Sequence, residues 1–170
     1  LIDAGATGAL FAVTANGRLT LENVTLTRGL AADGGAIQIA AGGAVTLTRT
    51  TLRNNATPPG ASGGALHNAG TLTLDRSRIA GNSAALNGGG LYNSGALHIS
   101  DSAIFANSAG GNGGGLYQHD GAATLKRSLL QANSAGLGGA LYVHGGPLTL
   151  IENSTLSGNS AGGSGGGLYS

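Results

Sequence analysis

Acid–base, metal-binding and ring-stacking chemistry in this 170-residue chain rests on seven carboxylates, four histidines and four tyrosines. The carboxylates are Asp3, Glu22, Asp33, Asp75, Asp101, Asp120 and Glu152. They are scattered along the chain, whereas calcium binding or general acid–base work needs several converging on one cleft. His119, Asp120 and His144 form a weak metal candidate, since histidines in solvated loops are more often bystanders. No catalytic residue, metal ligand or cofactor is assigned. The tyrosines are more orderly. Tyr92, Tyr117, Tyr142 and Tyr169 follow one another at 25, 25 and 27 residues. If the segments carrying them stack, the rings become neighbours one strand apart and reinforce a sheet. The sharper reading of the same spacing is a shallow aromatic strip for a glycan or another rod to lie against.

The tyrosines belong to a longer pattern that must position them. Gly88-Gly89-Gly90-Leu91-Tyr92 recurs at Gly113–Tyr117, Gly138–Tyr142 and Gly165–Tyr169, with earlier versions at Gly34–Ile37 and Gly63–Leu66. The aliphatic anchors at 37, 66, 91, 116, 141 and 168 lie 29, 25, 25, 25 and 27 residues apart, and a fixed period of that length indicates a repeat architecture. Leu10 is read as the anchor of the first turn. After each anchor comes an alternating piece: Arg18-Leu19-Thr20-Leu21, Ala44–Thr48, Thr71–Leu74, Ala96–Ile99 and Pro147-Leu148-Thr149-Leu150. A third short apolar piece centres on Leu26, Leu52, Ile79, Ile104, Leu130 and Leu156. Apolar–polar alternation marks strands with one buried face, and glycine interrupts every window long enough for a helix. Three short strands per turn without helices predict an all-β parallel β-helix of about six turns, forming one domain over residues 1–170, with turns ~4.8 Å apart. Asn55–Ser62, with Pro58 and Pro59, accounts for the longest turn and is expected where turns meet.

In such a stack equivalent residues become vertical neighbours. The column Asn55, Asn82, Asn107, Asn133 and Asn159 is expected to form a side-chain amide ladder at a bend where the asparagine backbone is left-handed. Thr50, Ser77, Ser102, Ser128 and Ser154 form a hydroxyl ladder or tight corner. Charges sit beside opposite charges: Arg76, Asp101 and Arg127 in one column, Lys126 and Glu152 in the next. Arg49 beside Arg76 runs against this pattern.

Composition narrows the functional classes. Thirty-four glycines without a Gly-X-Y period exclude collagen, and 41% apolar residues with a net charge of +1 argue against disorder. Eight basic against seven acidic residues leave no electrostatic footprint for nucleic acid. No apolar run is long enough to insert this segment into a membrane. Without cysteine there are neither disulfides nor thiolate zinc sites.

The glycine anchor, together with an aliphatic residue three places before each ladder asparagine, resembles the paired GGA(I/L) and FxxN motifs of the polymorphic outer membrane protein repeats. Leu or Ile replaces that family's Phe throughout, and Gly29 stands where the first turn would carry Asn. The resemblance implies a right-handed β-helix on or released from a bacterial surface, in adhesins and autotransporter passengers, with adhesive or structural rather than catalytic roles. The implied partners are other copies of itself, end to end or laterally, surface glycans, and host or cell-surface proteins. Enzymes of this fold, such as pectin lyases and polygalacturonases, cluster carboxylates on consecutive turns. A non-catalytic portion of such a carbohydrate-active enzyme is therefore the alternative reading. A remoter one is an ice-binding face on the column Thr20, Thr46, Thr73, Thr124 and Thr149, which His98 interrupts. The chain reads as a piece of a longer one, with turns continuing or copies stacking at unpaired ends.

Overall fold

The computed structural model describes residues 1–146 and 150–170. The short apolar pieces extend because glycine and polar residues bracket each one, and every piece pairs in parallel with its equivalent one turn away. The anchors form a seven-stranded sheet containing Leu66–Asn68, Leu91–Asn93, Leu116–Gln118 and Leu141–Val143. The alternating pieces form a six-stranded sheet from Arg18–Glu22 to Leu150–Glu152, and the third pieces a seven-stranded sheet from Ile2–Asp3 to Thr155–Ser157. All strand pairs are parallel, so the fold is an all-β parallel β-helix of about six turns. A fourth face was not foreseen. Ser83–Ala84, Ser108–Ala109, Ser134–Ala135 and Ser160–Ala161 form a four-stranded sheet just after the ladder asparagines. Two-residue strands are too short to show alternation, so no periodic signal announced them.

Aliphatic columns from the three long sheets, two of them from the alternating sheet, fill the interior. Leu26, Ile37, Leu47, Leu52, Leu66, Leu74, Ile79, Leu91 and Leu97 are at most 1% exposed. Removing that surface from water is the main source of stability, and it is delivered turn by turn. The Pro58–Pro59 insertion leaves the wall between the third-piece and anchor sheets, where Ala61 N donates to Pro58 O and Thr57 Oγ1 to Ala61 O.

The corners correct two expectations. At the asparagine corner the left-handed residue is the one before each asparagine: Asn54 (φ 54°), Gly81 (61°), Ala106 (54°), Ala132 (52°) and Gly158 (61°). That residue takes the reversal with its side chain outward, which lets the asparagine aim its amide inward. The same device recurs one corner earlier, where Arg49, Arg76, Asp101 and Arg127 (φ 46–49°) precede the inward Thr50, Ser77, Ser102 and Ser128. The register also slips twice. Phe11, not Leu10, pairs with Ile37, and the N–H groups of Leu10 and Phe11 both donate to Ala36 O. In the last alternating strand Leu150 pairs with Thr124 and is 44% exposed, while Ile151 turns inward beside Leu125. The described outward column is thus Thr20, Thr46, Thr73, His98, Thr124 and Leu150. The expected strand residues Pro147, Leu148 and Thr149 lie outside the described residues.

Opposite charges pair across turns. Arg127 donates to both carboxylate oxygens of Asp101 at 2.8 and 2.7 Å, and Lys126 lies 2.9 Å from Glu152. The Arg49–Arg76 clash is relieved because the two side chains diverge. Arg49 reaches Glu22 and the Asn23 amide oxygen one turn below, and Arg76 bonds its neighbour Asp75. The hydrogen bond from Arg127 holds the Asp101 carboxyl below its usual range, and Arg28 does the same to Asp3. A depressed folded-state value stabilises the fold above the unfolded carboxyl value of about 3.9 and ceases to do so as pH falls through the lower folded value. Arg127→Gln is therefore expected to lower stability at neutral pH and to flatten the acid limb. Thermal melts between pH 7 and 2 should show the two proteins converging at the acid end, and a constant difference across that range would refute the linkage.

Candidate functional site

The anchor sheet sends alternate residues outward, and its outward column carries the rings. Leu91, Leu116, Leu141 and Leu168 pair one with the next, so Tyr92, Tyr117, Tyr142 and Tyr169 are forced into adjacency, with His67 one turn below Tyr92. Neighbouring centroids from His67 upward are 4.8, 5.2, 5.0 and 5.2 Å apart, with planes within 9° of parallel. This is the strand spacing itself, so the backbone sets the stack. Two residues on, the next outward column adds His119 and His144, stacked at 4.9 Å. His119 also lies beside the Tyr117 ring at 6.1 Å. The upper half of this face is consequently two rings wide.

Stacking has a chemical consequence that the spacing alone did not reveal. Each tyrosine between two rungs has both ring faces covered by neighbouring rings, and Tyr117 is only 7% exposed although it points away from the core. The strip therefore presents ring edges and phenol groups rather than ring faces. Burial raises the pKa of the Tyr92 and Tyr117 phenols, assisted for both by the Asp120 carboxylate, and it lowers that of His67. These shifts favour the uncharged forms of Tyr92, Tyr117 and His67.

The carboxylates fall into two groups. Asp3, Glu22, Asp75, Asp101 and Glu152 are each paired with an arginine or lysine. The other two border the strip. Asp33 precedes the anchor strand Ile37–Ile39, and Asp120 follows the strand Leu116–Gln118, three turns further on. Three turns correspond to ~14 Å along the axis, beyond the ~5–9.5 Å that separates paired glycosidase carboxyls. Asp120 lies 3.4 Å from His119 Nε2, and His144 adds only a stacked ring. No group of three or more His, Cys, Asp or Glu with metal-binding geometry occurs among the described residues.

Behind the strip the structure holds two amide columns. In the asparagine column, the backbone N and Nδ2 of Asn55, Asn82, Asn107 and Asn133 all donate to the Oδ1 of the next asparagine at 2.9–3.0 Å. Each Nδ2 also donates to a carbonyl of the turn below, Asn107 to Ile79 O at 3.0 Å for example. Gly29, lacking an amide, contributes only its N–H to Asn55 Oδ1. The second column, Asn68, Asn93 and Gln118, was missed from the sequence. Its members sit directly behind the rings, Nδ2 of one donating to the side-chain oxygen of the next at 2.6 and 2.9 Å. The available signal was an amide at an inward position, two residues after each anchor, where Ile39 and Val143 stand in other turns. The serine column works differently: each Oγ accepts the backbone N–H of the turn below, as Ser102 does from Ser77 at 2.9 Å.

The lower end of the strip is open. Below His67 the outward column continues as Gln38 and Ala12, and the column beside it as Ala69, Ala40 and Thr14. Their small size leaves a hollow of about 240 Å3 against His67.

Comparison with known proteins agrees with this architecture. A family model described as a right handed beta helix region matches residues 2–164. Neither the curated proteins nor the solved structures provide a match.

Proposed function

The chain belongs to the right-handed β-helix family, and from that premise we propose that it is a non-catalytic structural and adhesive solenoid whose tyrosine–histidine strip is its contact surface for carbohydrate chains. The observation that carries this reading is the distribution of chemistry over the surface. Five of seven carboxylates are spent in ion pairs, and the remaining two border the one aromatic face instead of converging. Phenol and imidazole edges with a carboxylate on either side offer donors and acceptors along a rigid line, which suits the hydroxyls of an extended glycan. The GGA(I/L)-like anchors support placing the solenoid in a secreted or surface-exposed bacterial protein, as an adhesin segment or part of an extracellular filament. No helix among the described residues is long and apolar enough to cross a membrane.

The test is retention on insoluble and soluble polysaccharides by the chain and by the variant carrying Tyr92→Ser, Tyr117→Ser and Tyr142→Ser. Stacked aromatic pairs contribute ~0.5–1.5 kcal/mol each beyond the area they bury, so the variant should melt lower. Its retention should also fall at least tenfold at a temperature where it remains folded. Loss of stability with retention unchanged would make the strip a structural feature alone.

A further inference from the structure

A ring ligand that binds by its face has few places to go on this molecule. Within the stack each ring covers its neighbour, so a sugar cannot lie flat on Tyr92, Tyr117 or Tyr142. His67 at the lower end is stacked on one face only, because its column partner below is Gln38, not a ring. There the hollow of about 240 Å3 opens between His67, Gln38 and Ala12, with Ala40, Ala69 and Thr14 at its side. We propose that this hollow is a binding site for a single pyranose ring, which stacks under His67 and extends the ladder by one rung.

Three features favour that occupant. The space is smaller than the ~300–1,000 Å3 of pockets for drug-sized ligands and suits one ring. Its floor is made of alanine methyls and imidazole face, which matches the C–H face of a sugar, because polarised C–H groups are drawn to the negative face of a ring. Its rim is polar: the exposed Gln38 amide, the Thr14 hydroxyl and the imidazole nitrogens can meet equatorial hydroxyls. A purely aromatic ring would leave these rim groups unpaired. The Asp33 carboxylate, close enough to act on His67 electrostatically, adds an acceptor nearby.

The inference rests on the carbohydrate-binding reading of the strip but can fail separately from it. With four histidines in the chain, imidazole carbon–proton resonances report on His67 individually. Methyl β-glucopyranoside and methyl β-galactopyranoside are titrated into the labelled protein, with p-cresol as the aromatic-ring control. The expected result is a saturable ring-current shift confined to His67, with a Kd of order 1–10 mM, typical of so small a contact. Ala40→Leu places a larger side chain at an exposed position in the hollow and should weaken the shift at least tenfold, with the melting curve unchanged. Absence of a His67 response to either sugar, a response that survives Ala40→Leu, or tighter binding of p-cresol would each overturn the proposal. If the sugars fail to move His67 while polysaccharide retention still depends on the tyrosines, the strip stands and the hollow does not. The reverse pattern separates them equally.

Discussion

Asn107→Ala is expected to lower stability by about 3–5 kcal/mol, the cost of leaving several buried polar groups unpaired at ~1–3 kcal/mol each. The Asn107 Oδ1 accepts both the backbone N–H and the Nδ2 of Asn82, and its Nδ2 donates to Ile79 O and Asn133 Oδ1. Truncation removes all four bonds in a region from which water is excluded, since Asn82, Asn107 and Asn133 are at most 1% exposed. At ~2–4 °C per kcal/mol for a chain of this size, the melting temperature should drop by about 10 °C. Asn159→Ala is the internal comparison: it breaks a similar set of bonds, but the residue is only half-buried and water can replace part of what is lost. Its cost should be less than half. Chemical denaturation of the two variants measures the ratio, and equal costs would show that the ladder derives little from being buried.

The second large effect concerns space instead of pairing. Gly114→Ala should cost about 3 kcal/mol or more, at the upper end of what overpacking usually does. A Cβ at Gly114 would stand 2.5 Å from Gly139 O and 2.6 Å from Ser134 N, both backbone atoms fixed by the ladders of neighbouring turns. Relief would require the turns to part. The glycine before it answers a different need: Gly34, Gly63, Gly88, Gly113, Gly138 and Gly165 all hold φ between 60° and 74°. Gly162→Ala is the control, since its Cβ would meet nothing within 4 Å and its φ is ordinary. That change should fall within ~0.5 kcal/mol of neutral. Gly158→Ala should also be mild, because Ala106 and Ala132 already occupy the equivalent left-handed corner. Melting temperatures of the three variants rank the effects, and a neutral Gly114→Ala would mean the turns are far less tightly fixed.

These residues also show what the sequence made legible. The period was readable because one anchor serves one function in every turn, so glycine, an aliphatic residue and tyrosine recur together. Pairing of Ile37 with Leu66, Leu91, Leu116, Leu141 and Leu168 follows those anchors residue for residue. The exceptions have physical causes. At Leu10–Phe11 and Leu150–Ile151 two apolar residues adjoin, and composition cannot say which turns inward. Left-handed corners admit Arg, Asn, Ala and Gly alike because their side chains face water, so no residue type marks them. Adjacency of the tyrosines followed from the period, but the covering of ring faces depends on ring orientation, which spacing does not encode. The hollow below His67 arises from small residues in two columns and becomes visible only when the sheet is assembled.

The amide columns carry one more consequence. In both of them the nitrogen of each turn donates to the oxygen of the next turn along the chain, from Asn55 to Asn159 and from Asn68 to Gln118. The serine column has the same sense, from Thr50 to Ser154. Aligned amides polarise one another, so each bond strengthens the next. The rod accordingly has an electrical direction as well as a chain direction: a turn added the wrong way up would set donor against donor in three columns at once. The ladders act as a one-way template, specifying the polarity of each successive turn independently of the nearly symmetric aliphatic interior.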